Sequence, residues 1–200
     1  IRQFVRHGAQ WSERLVGLSD DVLSFGLSEP APLPALDHRL RDTKDGDIVE
    51  LCPAAESWLA PAAHRIAIHG GAALVIDYGN GPSLGDTFQA LHNHQPVDPL
   101  DTPGAADLTA HVDFAMLADV ATAQGCRWLG TVTQGEWLKA LGLDARAAAL
   151  ARAAPEQAGA IETARHRLVA DDQMGTLFKV MGLAAPDWPD GAGFQLPPST

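Results

Sequence analysis

Two polar residues follow the most apolar short run of the chain. The run at residues 72–76, AALVI, is preceded by two glycines and closed by Asp77, Tyr78 and Gly79. A short apolar run between turn residues is typical of a central parallel strand that is covered on both faces. Because ligands bind beyond the carboxyl ends of such strands, Asp77 and Tyr78 are candidate site residues. The alternative is that Asp77 caps the next turn and Tyr78 packs against the core.

A pair of histidines raises a second kind of chemistry. His92 and His94 lie two residues apart in a polar loop at residues 80–106, and Asp98 follows. Histidines at this spacing on a strand could bind a metal ion, so a metal-dependent hydrolase is one hypothesis. It needs a further ligand, which the sequence does not supply at convincing spacing. We therefore predict polar loop histidines and no metal site.

The composition limits the class of protein. The chain has 200 residues, 46% of them hydrophobic, and a formal charge of −11, which argues against nucleic acid or an anionic membrane as the main partner. Cys52 and Cys126 are too few for a disulfide framework, so a reducing compartment is expected. No apolar run reaches the length of a membrane span.

The predicted elements alternate between helix and strand in the middle of the chain. A β-hairpin is predicted at residues 1–17 and an irregular segment or edge-strand excursion at 19–47, with a short strand around Phe25 and Leu27 before prolines that disfavour regular structure. Periodicity and turn residues then predict these elements: an extended run at 48–51, a helix from Pro53 to about 69, the strand at 72–76, a helix at 114–124, a strand at 127–132, three helices within 134–168 and a final strand at 174–183. Residues 80–106 are predicted to be a long loop with one short extended piece near residues 87–91.

Several separated segments together resemble one known family. They are RIAIHGGAALVIDYG, GDTFQAL, DLTAHVDFAML, TVTQGEWLKALGLDARAAAL and MGTLFKVMGL, and VELCPAAESWL fits the family's helix-opening segment. In this order they are similar to the MidA-like methyltransferases, a family that includes the mitochondrial complex I assembly methyltransferase that modifies an arginine. The resemblance covers nearly the whole chain.

The resemblance implies an α/β, Rossmann-like class I methyltransferase fold that uses S-adenosylmethionine. This chain would be its C-terminal portion, with residues 71–79 as strand five, 127–132 as strand six and 177–183 as the antiparallel strand seven. The N-terminal β-hairpin and an α-helical insertion at about 134–168 would be additions to that fold. On this basis residues 1–185 are the C-terminal part of one methyltransferase domain and 186–200 a loose tail.

One departure from the family concerns the cofactor. Family members carry, upstream, a glycine-rich turn after the first strand, an acidic residue for the cofactor ribose and an Asn-Glu motif before the segment that matches IRQFVR. This sequence has none of them, and Gly79-Asn80-Gly81-Pro82 follows the wrong strand and lacks the helix that such a turn needs. The cofactor-binding residues are therefore expected upstream, and weak or no binding of S-adenosylmethionine is expected from this chain alone. The chain also begins without Met, which suggests a piece of a longer protein or a processed one.

The resemblance further implies arginine N-methylation of a protein, a respiratory complex I subunit, in a bacterial cytoplasm or the mitochondrial matrix. A carboxylate can accept two parallel hydrogen bonds from a guanidinium, so Asp77, Asp113 and Glu50 are candidate site acids. His111 could accept a proton or orient a neighbour, and Tyr78 could stack on the guanidinium. The alternatives are that Asp113 is a helix N-cap, Glu50 a solvated strand end and His111 a buried, hydrogen-bonded histidine.

A competing hypothesis is a non-catalytic interaction module or inactive fragment, in which the helical insertion docks a partner protein. A Rossmann-like sheet without its first strands would also leave an unpaired edge beside strand five. We therefore expect the chain alone to form a homodimer across that edge, to be poorly soluble, or to be completed by an upstream segment.

Overall fold

Residues 1–194 are described by a computed structural model of mixed α/β architecture. The chain divides into two units, the first formed by Ile1–Ala54 with Gly81–Asp113 and the second by Ala55–Asn80 with Phe114–Thr200. Each unit is described by itself below. The assignment of residues 1–185 to part of one methyltransferase domain stays a prediction.

An antiparallel sheet opens unit 1. Its strands are β1 (Arg2–His7), β2 (Gln10–Ser19), β3 (Val22–Leu27) and β4 (Ile48–Leu51), in the spatial order β3-β2-β1-β4. The predicted hairpin is confirmed as β1–β2, and the strand around Phe25 is confirmed as β3. Asp20 and Asp21 adopt φ angles of 50° and 62°, the left-handed conformation that a two-residue hairpin turn needs at both central positions.

The core of unit 1 lies on one face of this sheet. Alternation along the strands places Phe4, Trp11 and Val49 on that face, where Leu36 packs against them. Leu36 belongs to a 3-10 helix, Pro34–Arg41. The expectation of irregular structure was wrong for these residues, because Pro34 stands at the start of the helix, where its missing N–H is not needed.

In unit 2, a helix is followed by the apolar strand. Helix α1 (Pro53–His69) begins at the predicted proline, continues through Pro61 and buries Leu59 and Ala63. Gly70, with φ 82°, ends it, and strand β5 (Ala72–Asn80) follows. The helix-then-strand order of the sequence analysis is confirmed here.

The segment at residues 80–106, predicted as a loop with one short extended piece near residues 87–91, contains that piece as strand β6 (Gln89–His92) and further regular structure. Strands β6 and β7 (Gln95–Val97) form a hairpin through Asn93 and His94, and β6 also pairs with β8 (Asp107–Thr109). The strands are three or four residues long, too short for a period-two pattern to be visible in the sequence. Strand β9 (Val112–Asp113) ends unit 1.

The rest of unit 2 completes its sheet and adds helices. In chain order these are α2 (Phe114–Ala123), β10 (Arg127–Thr133), α3 (Gln134–Ala140), α4 (Leu143–Ala153), a 3-10 turn at Pro155–Gln157, α5 (Ala158–Val169), α6 (Met174–Leu177) and β11 (Phe178–Ala184). Strand β11 lies between β10 and β5, antiparallel to both, as predicted for the last strand. It begins at Phe178 rather than Met174, because residues 174–177 form a helical turn in which Gly175 lies close to the Val169 carbonyl.

The prediction that β5 is covered on both faces was wrong for the described residues. Alternate side chains along the strand are exposed, with Leu74 at 51% and Ile76 at 46%. Although every residue of the run at 72–76 is apolar, the side chains on one face of β5 are about half exposed. Burial on one face is compatible with the sequence, since apolar composition alone does not distinguish the two cases.

Residues 186–194, part of the predicted loose tail, pack against other residues of unit 2. Arg127 donates to the Trp188 carbonyl at 2.6 Å and pairs with Asp190, and the Phe194 ring lies over Gly182. Residues 195–200 lie outside the described residues. No helix within residues 1–194 is long and apolar enough to cross a membrane.

Candidate functional site

A row of polar side chains crosses the sheet of unit 1 on the face opposite its core. Glu50 of β4 pairs with Gln3 of β1, which pairs with Arg14 of β2. Gln3 and Glu50 are each only 5% exposed. The Gln3 amide donates to Glu50 Oε1 at 2.7 Å, and Arg14 donates to Gln3 Oε1 at 3.1 Å. The row is therefore a connected network rather than a set of solvated strand residues.

Asp86 closes this network from the segment that follows β5. Its carboxylate accepts from the Gln3 amide at 2.7 Å and from Arg14 at 2.5 Å. Burial raises the pKa of the Asp86 carboxyl, but the hydrogen bonds from Gln3 and Arg14 and the charge of Arg14 outweigh this effect, so its pKa lies below the ordinary value. Asp86 is therefore held as a carboxylate.

Glu50 fixes Thr87 and, through it, the backbone at His111. Glu50 Oε1 accepts from the Thr87 backbone N–H at 3.0 Å, and Glu50 Oε2 accepts from the Thr87 hydroxyl. The same hydroxyl accepts the His111 N–H at 2.9 Å. With Gln3 as a further donor, the Glu50 carboxylate is satisfied by its own chain, so it acts on the neighbouring segment by positioning it.

A second connection runs from Glu50 to Asp113. The Glu50 N–H donates to the Ser83 hydroxyl at 3.0 Å, and the Ser83 N–H donates to Asp113 Oδ2 at 2.8 Å. Asp113 and His111 are both partly buried. Three of the predicted site residues, Glu50, His111 and Asp113, are thus brought together in unit 1 by Ser83 and Thr87.

Asp77 and Tyr78 lie on β5 in unit 2. Asp77 Oδ1 accepts the Tyr78 N–H at 2.8 Å, and the Tyr78 ring meets Phe178 edge to face at 5.5 Å. Lys179 of β11 is the register partner of Asp77. Burial lowers the pKa of the Lys179 ammonium, and the charge of Glu136 opposes this effect only in part. A carboxylate, a phenol and a cation therefore lie at the same end of this strand pair.

The sequence analysis missed the residues that connect the site. Gln3, Ser83, Asp86 and Thr87 were not singled out, although Asp86 and Thr87 belong to the quoted segment GDTFQAL. A signal was available, because polar residues in a short segment between apolar ones are candidates for buried hydrogen bonds. Their partners on β1 and β4 lie 33 to 83 residues away, so no local pattern could have identified the pairs.

The histidines of the polar loop do not assemble a metal site. His92 Nδ1 lies 2.6 Å from the Ala105 carbonyl oxygen, a contact within the loop. Within residues 1–194, no group of three or more His, Cys, Asp and Glu side chains could hold a metal ion. The three-ligand arrangement of His92, His94 and Asp98 that the hydrolase hypothesis requires is not formed.

The described residues do not fit the adenosyl cofactor of the family suggested by the sequence. A cofactor-cradling turn needs glycines between a strand and the N-terminus of the next helix. At the strand-to-helix junctions of residues 1–194, before α1, α2 and α3, no glycine-rich turn is present. Gly79-Asn80-Gly81-Pro82 leads from β5 into a segment without a helix. Residues 1–194 therefore supply no such turn for the cofactor.

Comparison with known proteins identifies relatives. Residues 1–132 match the family described as "Putative S-adenosyl-L-methionine-dependent methyltransferase". The protein arginine methyltransferase NDUFAF7, mitochondrial, of Xenopus tropicalis is 37% identical over 175 residues, which are 84% of this chain and 40% of that protein. The Drosophila melanogaster homologue is 41% identical over 60% of this chain and 28% of its own length. The chain thus spans at most about two fifths of these curated relatives.

Solved structures share the fold. A Burkholderia thailandensis protein of uncharacterized function has a TM-score of 0.80 and 25% identity, covering 96% of this chain and 53% of its own. A second Burkholderia thailandensis structure, bound to S-adenosyl-homocysteine, has a TM-score of 0.80 and 23% identity, covering 96% and 52%. Both matches extend over both units of this chain.

Proposed function

We propose, from the premise that this chain belongs to the MidA-like family of S-adenosylmethionine-dependent methyltransferases, that the protein it represents methylates an arginine side chain of another protein. The observation that carries this proposal is the 37% identity, over 84% of the chain, to a protein named as a protein arginine methyltransferase. Following the family resemblance, we further propose a respiratory complex I subunit as substrate, acted on during assembly in a bacterial cytoplasm or the mitochondrial matrix.

In this proposal the residues of unit 1 hold the guanidinium. S-adenosylmethionine supplies an activated methyl group, so the task of the protein is to place the acceptor nitrogen in line with it. The Asp113 carboxylate would accept guanidinium N–H groups in a fork. Because Ser83 holds Asp113 and Thr87 holds the His111 backbone, Glu50 would fix both residues without touching the substrate.

Separate roles are proposed for His111 in unit 1 and for the β5 residues in unit 2. His111 would accept a proton from the guanidinium after methyl transfer, or orient Asp113. Asp77 would be an alternative acid for a guanidinium, and Tyr78 would offer its ring face to a cation. The Tyr78–Phe178 contact supports a fixed ring, which is what a stacking role requires.

Calorimetric titration of S-adenosylmethionine tests whether the 200-residue chain binds the cofactor by itself. We expect clear binding by a full-length family member that contains this chain, and weak or no binding by the 200-residue chain. Micromolar binding by the 200 residues alone would show that the cofactor site is built from residues that we assign to other roles.

Substitution of Asp113 tests the substrate role. In the full-length protein, Asp113→Asn should lower methyl transfer to an arginine-containing protein substrate by about tenfold to a hundredfold, the size expected for a lost charged hydrogen-bond pair. Cofactor binding should be unchanged. Asp119→Asn, at an exposed aspartate of α2, is the matched control. Equal activity of both variants would remove Asp113 from the site.

A non-catalytic interaction module is the second candidate. The poor fit of residues 1–194 to the cofactor favours it for this chain taken alone. In that case the full-length protein would bind its partner without transferring a methyl group. Mass spectrometry of the partner after incubation with the cofactor separates the two candidates, since a methylated arginine is formed only by the enzyme.

A further inference from the structure

The outer end of the β2–β3 hairpin carries an apolar face. Paired residues of neighbouring strands point to the same side of a sheet, and alternate residues share that side. Five large apolar side chains therefore share one side; we call them the hairpin face: Val16, Leu18, Leu23, Phe25 and Leu27. Leu18 is 71% exposed, Leu27 54% and Val16 53%, while Leu23 and Phe25 are partly buried.

The hairpin face continues the polar row described above. Leu27 pairs with Arg14, so Glu50, Gln3, Arg14 and Leu27 form one line across the four strands. The Arg14 guanidinium carbon lies 3.7 Å from the centre of the Phe25 ring. The hairpin face is therefore the β3 side of the same row whose other end is Glu50.

Strand β3 offers a free edge beside this face. It is the terminal strand in the order β3-β2-β1-β4, and among residues 1–194 no strand pairs with its outer side. Residues 22–27, VLSFGL, contain no charge and no proline, the devices that usually protect an edge from pairing. Its backbone groups on that side are thus suited to pair with an added strand.

Acidic residues flank this edge at both ends. Asp20 and Asp21 precede β3, Glu29 follows it, and all three are exposed. A second copy of β3 added antiparallel about the middle of the strand would place Asp20 of one copy opposite Glu29 of the other, which is unfavourable for like charges. A strand with basic residues at its ends would instead meet opposite charge at both ends.

The size of the surface also favours a short segment. A stable interface between two folded proteins uses about 20 to 30 residues on each side. The hairpin face contributes five side chains and one strand edge. This is the scale of recognition by strand addition, in which backbone hydrogen bonds give affinity and alternate side chains give specificity.

We propose that β3 binds an extended segment of the protein substrate as an added strand, with apolar side chains at alternate positions on the same side of the sheet as the hairpin face and arginine or lysine at its ends. That the bound segment belongs to a methylation substrate rests on the proposed function. The strand-adding surface itself rests on the exposure, register and charges of residues 16–29.

A labelled peptide tests the surface directly. The probe is a fluorescein-labelled peptide of alternating valine and threonine with two arginines at each end, and its partner probe carries glutamates at the ends. Fluorescence anisotropy with the 200-residue chain should show saturable binding of the basic peptide, weakened by salt, and at least about tenfold weaker binding of the acidic one. Equal binding of both peptides would overturn the proposal.

Two variants and their controls locate the site. Asp20→Asn with Asp21→Asn keeps a residue that tolerates positive φ and should weaken binding of the basic peptide by about threefold to tenfold. Asp171→Asn with Asp172→Asn makes the same charge change at another exposed pair and should leave it unchanged. Leu27→Ser should weaken binding, whereas Leu108→Ser, at a strand leucine that is 57% exposed, should not.

The failures of the two proposals are distinguishable. If the chain self-associates and Leu27→Ser abolishes that association, a second copy occupies β3 and the substrate proposal is overturned. If the peptide and variants behave as expected but the full-length protein transfers no methyl group, the surface is supported and the proposed activity fails. If the activity is present, Leu27→Ser in the full-length protein should raise KM for the protein substrate and leave kcat unchanged.

Discussion

Glu50 connects two separate segments of unit 1 through its side chain and its backbone. Its carboxylate holds Thr87 and Gln3, and its N–H holds Ser83. A buried carboxylate is costly unless its oxygens are satisfied. Here Thr87, which donates to the carboxylate, also accepts the His111 N–H, and Ser83, which accepts the Glu50 N–H, donates its own N–H to Asp113. At the scale of single residues, stability and site geometry therefore depend on the same hydrogen bonds.

Replacing Thr87 tests this dependence. Thr87→Val keeps the shape but removes the hydroxyl that donates to Glu50 and accepts from His111. We expect the free energy of unfolding, measured by urea denaturation, to fall by about 1 to 3 kcal/mol, the range for buried groups left without a partner. Thr87→Ser retains the hydroxyl and should cost less. A larger loss for Thr87→Ser than for Thr87→Val would contradict this, because it would show that packing of the methyl group matters more than the hydroxyl.

The Arg14–Asp86 pair predicts a pH dependence. The pKa of Asp86 is lower in the folded chain than its ordinary value of about 3.9, so the pair stabilises the fold above that value, and this contribution is lost as the pH falls through the folded pKa. The difference in unfolding free energy between the wild type and Asp86→Asn should be largest near neutral pH and should shrink in acid. Arg14→Gln should remove the same component, and the double variant should add little to either loss. A difference that does not change between neutral pH and about pH 3 would contradict this assignment.

At the scale of elements, close backbone contacts hold the helical segment of unit 2 together. A Cβ on Gly175 of α6 would lie 2.4 Å from the Val169 carbonyl oxygen, and one on Gly135 of α3 would lie 2.8 Å from the same oxygen. Helices α3, α5 and α6 therefore meet where only glycine fits. The three-helix region predicted from the sequence has a packing centre that the helix periodicity did not reveal.

A pair of glycine substitutions separates packing from helix propensity. Gly175→Ala should lower the free energy of unfolding by about 1 to 3 kcal/mol, because the backbone must shift to admit the methyl group. Gly159→Ala, in α5 with nothing within 4 Å of the added Cβ, should raise stability by about 0.5 to 1 kcal/mol. Thermal unfolding followed by circular dichroism compares them. Stabilisation by Gly175→Ala would show that the contact is looser than described.

The elements that sequence could predict are those whose signal is local. Pro53 and Gly70 mark the ends of α1, and the hairpin β1–β2 and the helix at 114–123 follow from periodicity and turn residues. The small sheet of β6, β7 and β8 and the helical turn at Met174 depend on contacts between short segments, which leave no periodic signal. The site divides in the same way, because the acids could be named from the sequence but the Ser83 and Thr87 connections depend on residues distant along the chain.

At the scale of the whole molecule, two features bear on how the chain behaves alone. Its net charge of −11 favours solubility. Against this, Leu74 and Ile76 of β5 are about half exposed on one side of the strand. Exposed apolar side chains on a sheet drive association when they are adjacent. The chain also spans at most about two fifths of the length of its curated relatives, so self-association of the 200 residues is a property to measure before any assay.

Substitution on β5 tests whether that face drives association. We expect light scattering after size exclusion to show that the 200-residue chain associates as its concentration rises. Leu74→Thr with Ile76→Thr should keep it monomeric, because the two changes remove apolar area while retaining residues that favour strands. Leu108→Thr, at an equally exposed leucine of β8, is the control and should associate like the wild type. A wild-type chain that stays monomeric at every concentration would contradict the expectation, and it would mean that exposure on β5 is tolerated by the isolated chain. Equal effects of the β5 and β8 variants would instead indicate a general response to lower surface hydrophobicity.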